Sequence, residues 1–257
     1  MTDASTILFA PLAFLAGTSL YYLVLTRVAD SFVMQLWLRR KAVSRASVED
    51  LFAVVNIGVA AVFQIVVVAG LIALLDIPIL SLLVEGADLW WLLLVLPLAV
   101  AELSLASMLA GVALAFTPEM QSGGWRLMMD AGWLRSFLKM GANGRHGTAP
   151  VILLVYIAAE EILFRGVGIW CLASLPAVAI TMTSLVFVAV QCVGMPSWRH
   201  AIFPVAGAVV MGPTHAWLVL SGAPLLFPIA VHLTFFIAAV ATAPHLDRQR
   251  DNPEFLP

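Results

Sequence analysis

Two adjacent carboxylates and an arginine, Glu160, Glu161 and Arg165, stand in the run Glu160-Glu161-Ile162-Leu163-Phe164-Arg165, inside a stretch otherwise apolar enough to cross a bilayer. An ionisable side chain at the centre of a membrane helix costs roughly 2.5–3.5 kcal/mol on insertion scales, and such groups usually face a bundle interior or a water-filled cavity. They mark chemistry or transport. On a helix, Glu161 and Arg165 are four apart and lie one above the other, with the acid on the N-terminal side, the favourable order for an ion pair. Glu160 points about 100° away by the helical repeat. The roles divide accordingly: Glu161 is neutralised by Arg165 and structural, while Glu160 is left to act as a general base on water. The competing reading is a buried ionic lock in which all three groups hold helices together.

Downstream segments supply partners. His232 lies in Pro228-Ile229-Ala230-Val231-His232-Leu233-Thr234, and His215 in Gly212-Pro213-Thr214-His215-Ala216-Trp217. Either imidazole could donate to an oxyanion or take part in acid–base work. For His215 the blander role is expected, a hydrogen-bonded contact between helices. Gln191, four residues after Phe187, is a polar residue near the end of an apolar segment, and interhelical hydrogen bonding is its simplest role. Glu102 is a further buried acid, expected as a second partner for Arg165. His146, His200 and His245 fall in loops and carry no signal.

These residues must be positioned by membrane helices. The chain is 62% hydrophobic and 11% charged, with a mean hydropathy of +1.02 over 257 residues, which describes an all-α, polytopic membrane helix bundle rather than a soluble core. Stretches of about 20 apolar residues suffice to span a bilayer, and that window predicts seven spans at 5–25, 51–75, 89–116, 149–175, 177–194, 202–221 and 225–243. The first apolar run is long and has no basic region ahead of it, so a retained helix is expected rather than a cleaved signal peptide. A single membrane domain over 1–257 is expected, with no internal repeat.

Charge sorts the loops. Arg27, Arg39, Arg40, Lys41 and Arg45 lie between the first two spans, Arg126, Arg135, Lys139 and Arg145 between the third and fourth, and Arg199 between the fifth and sixth. Ile77 to Asp88 carries acids and no basic residue. By the positive-inside rule the N-terminus is outside and the C-terminus cytoplasmic, in what is expected to be a prokaryotic cytoplasmic membrane. Ser47-Val48-Glu49-Asp50 reads as the cap of the second span. In the long third loop Trp125, Met129, Trp133, Phe137 and Met140 recur at helical spacing, predicting an amphipathic helix on the membrane surface. Cys171 and Cys192 both sit in apolar segments and read as small hydrophobes, with neither a disulfide framework nor a zinc site implied. Nucleic-acid binding is excluded by the sparse, segregated basic charge.

The order of the polar motifs resembles the CPBP family of intramembrane proteases, which includes type II CAAX prenyl endopeptidases and Abi-type self-immunity proteins. The likeness covers roughly residues 149–243. Glu160-Glu161-Ile162-Leu163-Phe164-Arg165-Gly166 matches the first motif, and Gly222-Ala223-Pro224-Leu225-Leu226-Phe227-Pro228-Ile229-Ala230-Val231-His232 matches the turn and entry to the third. This chain departs at two positions. Gln191 stands where the second motif has a histidine after its phenylalanine, here Phe187, and Phe236 stands where the third has Asn or Asp four residues after His232.

The resemblance implies that the first glutamate and the second-motif histidine activate water, and that the last-helix histidine and its Asn stabilise the oxyanion. Carried over by position, Glu160 is the base, Glu161 and Arg165 orient, and His232 meets the oxyanion. Gln191 can hydrogen-bond a water but cannot take its proton at neutral pH. Phe187 and Phe236 are expected to contact substrate.

Three functions are compatible with these residues. The first is a glutamate-dependent intramembrane endopeptidase acting on a membrane-associated or lipidated protein tail, without cofactor or metal, since no His-Glu-x-x-His is present. The second is a pseudoprotease that keeps the cavity and serves as a membrane scaffold, regulator or immunity-type protein. The third is a transporter or channel subunit using Glu102, Glu160 and Arg165 as a polar pathway, ranked last for want of repeat symmetry.

Overall fold

The computed structural model describes residues 4–29, 31–41, 45–116, 148–192, 195 and 197–250. Among the described residues every regular element is helical. In chain order these are α1 (Ala4–Ala29), α2 (Phe32–Lys41), α3 (Arg45–Leu75), α4 (Ile79–Val84), α5 (Leu89–Ala115) and α6 (Thr148–Glu161). A π-helical segment (Ile162–Gly168) continues directly from α6, followed by α7 (Ile169–Leu172), α8 (Pro176–Gln191), α9 (Trp198–Leu220) and α10 (Leu226–Arg250).

A helix lies over each of the seven expected spans. Ile57–Leu75, Leu89–Ala115 and Trp198–Leu220 are long and apolar enough to cross a membrane, and Pro176–Gln191 and Leu226–Ala241 are shorter apolar helices. Leu89, Trp90, Leu92, Leu93, Leu96 and Val100 on α5 are all exposed, a surface that suits lipid rather than water. The chain is an integral membrane protein. The expected amphipathic helix over 125–140 falls outside the described residues. Two short helices, α2 and α4, were not anticipated, and α3 begins at Arg45, ahead of the expected cap at Ser47.

Local sequence explains several boundaries. Asp88 caps α5 by accepting a hydrogen bond from the Trp90 backbone N–H at 2.7 Å. Pro176 opens α8, where its missing N–H has no helical partner to lose. Gly222, at φ +93°, makes the tight turn from α9 into α10, a conformation that favours glycine. That turn is pinned to the α4 end of the bundle, where the Leu225 N–H donates to the Leu82 carbonyl at 2.8 Å. Trp91 and Phe227 pack there with ring centroids 4.9 Å apart.

Segment α6 and its π-helical continuation run through the middle of the bundle, touched by α3, α10, α8 and α9, while α5 packs along α9 and α10. The buried face of α5 is a stripe of Ala99, Ala106 and Ala110 interrupted by Glu102. Small side chains let the neighbouring helices come close, the usual device of membrane packing. Glycine does the same between α8 and its neighbours. A Cβ on Gly168 would sit 2.8 Å from Thr183 Cγ2, and one on Gly212 would sit 3.1 Å from Ser184 Oγ. These approaches bring the polar residues of α8 and α9 to α6.

Candidate active site

On α8 the buried residues Ala179, Thr183, Phe187 and Gln191 recur every four positions and form one stripe facing the bundle interior. On α10, His232, Phe235, Phe236 and Ala239 follow the i, i+3, i+4, i+7 pattern of one helix face. On α6 the same spacing joins Tyr156, Ile157 and Glu160. The three faces converge on a partly enclosed cavity that opens to the outside. Its polar lining comes from Glu160, Gln191, His232 and Tyr156, and the rest is apolar: Phe187, Phe203, Pro204, Met211, Phe235 and Phe236 among others. Apolar walls with a few convergent polar groups are the usual make-up of a ligand site.

Glu160 is at the cavity wall. Its Oε1 is 3.4 Å from the Tyr156 hydroxyl and 3.4 Å from Gln191 Nε2, both long hydrogen bonds that the carboxylate accepts. Glu161, next in sequence, turns away into a wholly buried cluster. Its Oε1 is 2.7 Å from His232 Nδ1 and 3.2 Å from His215 Nδ1, and its Oε2 is 3.4 Å from Arg165 Nε. The two neighbouring carboxylates therefore have different surroundings: Glu160 faces the cavity, and Glu161 faces Arg165, His215 and His232.

Arg165 is 1% exposed, and its guanidinium lies over the Phe187 ring with its carbon 4.2 Å from the centroid. That is cation–π contact in a desolvated setting, where it is worth about 2 kcal/mol. Phe187 is thus a platform for Arg165 as well as part of the cavity wall. Helical spacing predicts Arg165 on a regular α-helix. Instead it sits on the π-helical turn Ile162–Gly168, whose wider coil carries residues 163–168 fully into the interior. Such π segments occur frequently at functional sites.

The expected Arg165–Glu102 pairing is replaced by another. Glu102 Oε1 lies 3.3 Å from His215 Nε2, an ion-pair contact not aligned as a hydrogen bond. His215, expected to be a simple interhelical contact, has a carboxylate oxygen at each ring nitrogen. The signal that it belonged to the cluster was its burden: an ionisable group in an apolar, proline-containing helix calls for a partner. Phe236 lines the cavity one turn beyond His232. Among the described residues, no group of three or more His, Cys, Asp or Glu side chains is disposed to hold a metal ion.

Fold and cavity together define a helical membrane protein with a buried acid–base cluster opening on an apolar site. Residues 145–237, which take in α6 to the first half of α10, match the family model described as type II CAAX prenyl endopeptidase Rce1-like. The matched stretch is the one whose motifs resemble the CPBP family of membrane proteases, and the match points to a hydrolase. No curated protein and no solved structure matches the chain significantly.

Proposed function

We propose that the protein is a glutamate-dependent intramembrane endopeptidase that hydrolyses a peptide bond in a membrane-associated or lipidated protein tail. The observation that carries this reading is the shared lining of one cavity by Glu160, Gln191 and His232. Glu160 takes the proton of a water molecule, and Gln191, whose amide nitrogen is 3.4 Å from the carboxylate, positions that water with a hydrogen bond. The hydroxide attacks the scissile carbonyl carbon. The developing oxyanion is met by an N–H of His232, and Glu160 returns its proton to the leaving amine.

Glu161 orients the second imidazole. A carboxylate only accepts, so the His232 nitrogen 2.7 Å from it carries a proton, which leaves Nε2 for the cavity. Arg165 balances the charge of Glu161 from the other side. Phe187, Phe203 and Phe236 offer an aromatic wall suited to the apolar part of a lipidated tail.

The cavity also has a direction. From His232 it is lined along α10 toward Ala239, and along α9 by Phe203, Pro204 and Gly207, in the half that begins at Trp198, with Met211 just past the middle. That is the end carrying Arg199. By the positive-inside rule this end is cytoplasmic, so substrate enters from the cytoplasmic side, with seven crossings and the N-terminus outside.

The test is hydrolysis by proteoliposomes of the purified chain, offered membrane-anchored peptides with and without a prenyl group. Cleaved products identified by mass spectrometry support the reading. Peptides that bind and stay intact favour the pseudoprotease instead.

A further inference from the structure

Glu102 is a buried carboxylate with neither oxygen in a hydrogen bond. A charge in that position is strongly destabilising unless it is paired. Among the described residues, its ion-pair contact is His215 Nε2 at 3.3 Å, and the opposite nitrogen of the same ring is 3.2 Å from Glu161 Oε1. A neutral imidazole has one N–H and cannot offer a proton to both carboxylates; an imidazolium has two. The same Glu161 oxygen holds His232, whose ring lies 6.2 Å from that of His215 in an edge-on arrangement. Arg165 faces Glu161 from the π-helical turn, and Glu160 completes the group from α6. The acids Glu102, Glu160 and Glu161 are matched by Arg165, His215 and His232. The cluster is electrically neutral when every member is ionised, which is the state in which His232 has N–H groups for both Glu161 and an oxyanion.

We propose that His215 and Glu102 are positioning residues of the active site, His215 acting as an imidazolium bridge between Glu102 and Glu161 that fixes the Glu161 carboxylate against His232. Glu161 has one oxygen shared by two imidazoles and the other turned to Arg165, so its rotation is fully specified. Without the bridge, the carboxylate is held from one side less and the proton arrangement on His232 loosens. His215 is not part of the cavity wall; it acts through Glu161. The catalytic part of this inference rests on the protease reading, while the bridge itself does not.

The full chain, with its 5 histidines labelled with nitrogen-15, gives a test in detergent micelles at neutral pH. Ring-nitrogen resonances and peptide cleavage are measured on the same preparations of wild type, Glu102→Gln and His215→Gln. The expected wild-type spectrum has His215 with both ring nitrogens protonated. In Glu102→Gln one of them loses its proton, and in both variants the His232 resonances move. Both variants lose kcat by about 10- to 100-fold at unchanged KM, the usual scale for partners that orient a reacting side chain. A bare ring nitrogen on wild-type His215 overturns the proposal without any variant having to fold. Unmoved His232 resonances in both variants also overturn it. Expected spectra from a chain that cleaves no peptide uphold the bridge and sink the protease reading, whereas cleavage with a bare His215 nitrogen does the reverse.

Discussion

Gln191 Nε2 lies 3.4 Å from Glu160 Oε1, joining the last turn of α8 to the end of α6 at the wall of one cavity. The resemblance puts a histidine at this position, so the structure places an amide donor where the family has a titratable ring. A glutamine steers a water molecule but takes no proton from it. Gln191→His therefore adds an acid–base group within reach of Glu160. General acid–base groups contribute roughly 10²–10⁴-fold, and the substitution is expected to raise kcat by some part of that range, read from initial rates on a cleavable peptide. An unchanged or lower rate would show that Gln191 is already the better partner here.

Arg165 is expected to matter for stability as well as activity. It is the guanidinium partner of Glu161 and stacks on Phe187. Arg165→Leu leaves a buried carboxylate short of a cation, and breaking a buried pair from one side costs about 3–5 kcal/mol. Thermal unfolding in detergent should register this as a clear drop in midpoint. Arg165→Lys recovers only part of it, because an ammonium lacks the planar face that lies over the ring.

Close helix approach gives a contrast between two glycines. Gly168 has Thr183 Cγ2 within 2.8 Å of where its Cβ would be, whereas Gly70 has nothing within 4 Å. Gly168→Val is expected to destabilise by about 1–3 kcal/mol, the typical cost of overpacking. Gly70→Ala is expected to be neutral or to stabilise by up to about 1 kcal/mol through helix propensity. The same unfolding assay separates them, and equal midpoints for the two variants would contradict the tight contact at Gly168.

Much of this site was legible before the fold. Intramembrane charge pointed to Glu160, Glu161 and Arg165, and helical spacing was enough to send the two glutamates to different surroundings. Spacing also put Gln191 one turn after Phe187, and the structure shows both on the interior face of α8. What could not be read was the cross-chain pairing. Glu102 and Arg165 have complementary charge, yet Glu102 meets His215, because the alanine stripe of α5 packs on α9 and α10 rather than on the π-helical turn. The π-helix itself was hidden because it leaves the apolar pattern of Ile162–Gly168 unaltered while widening the coil. His215 was undervalued because a lone membrane histidine carries no partner in its own sequence neighbourhood; its partners are on α5 and α6.

Glu160 is the acid of the cluster that faces the cavity. The most direct measurement compares the rate of peptide cleavage by wild-type proteoliposomes with that of Glu160→Gln, an almost isosteric change that keeps a hydrogen-bonding group beside Tyr156 and Gln191. A measurable wild-type rate is expected, with a fall on the order of 100-fold or more in the variant while the protein stays folded. Cleavage that survives the substitution at the wild-type rate would contradict Glu160 as the base.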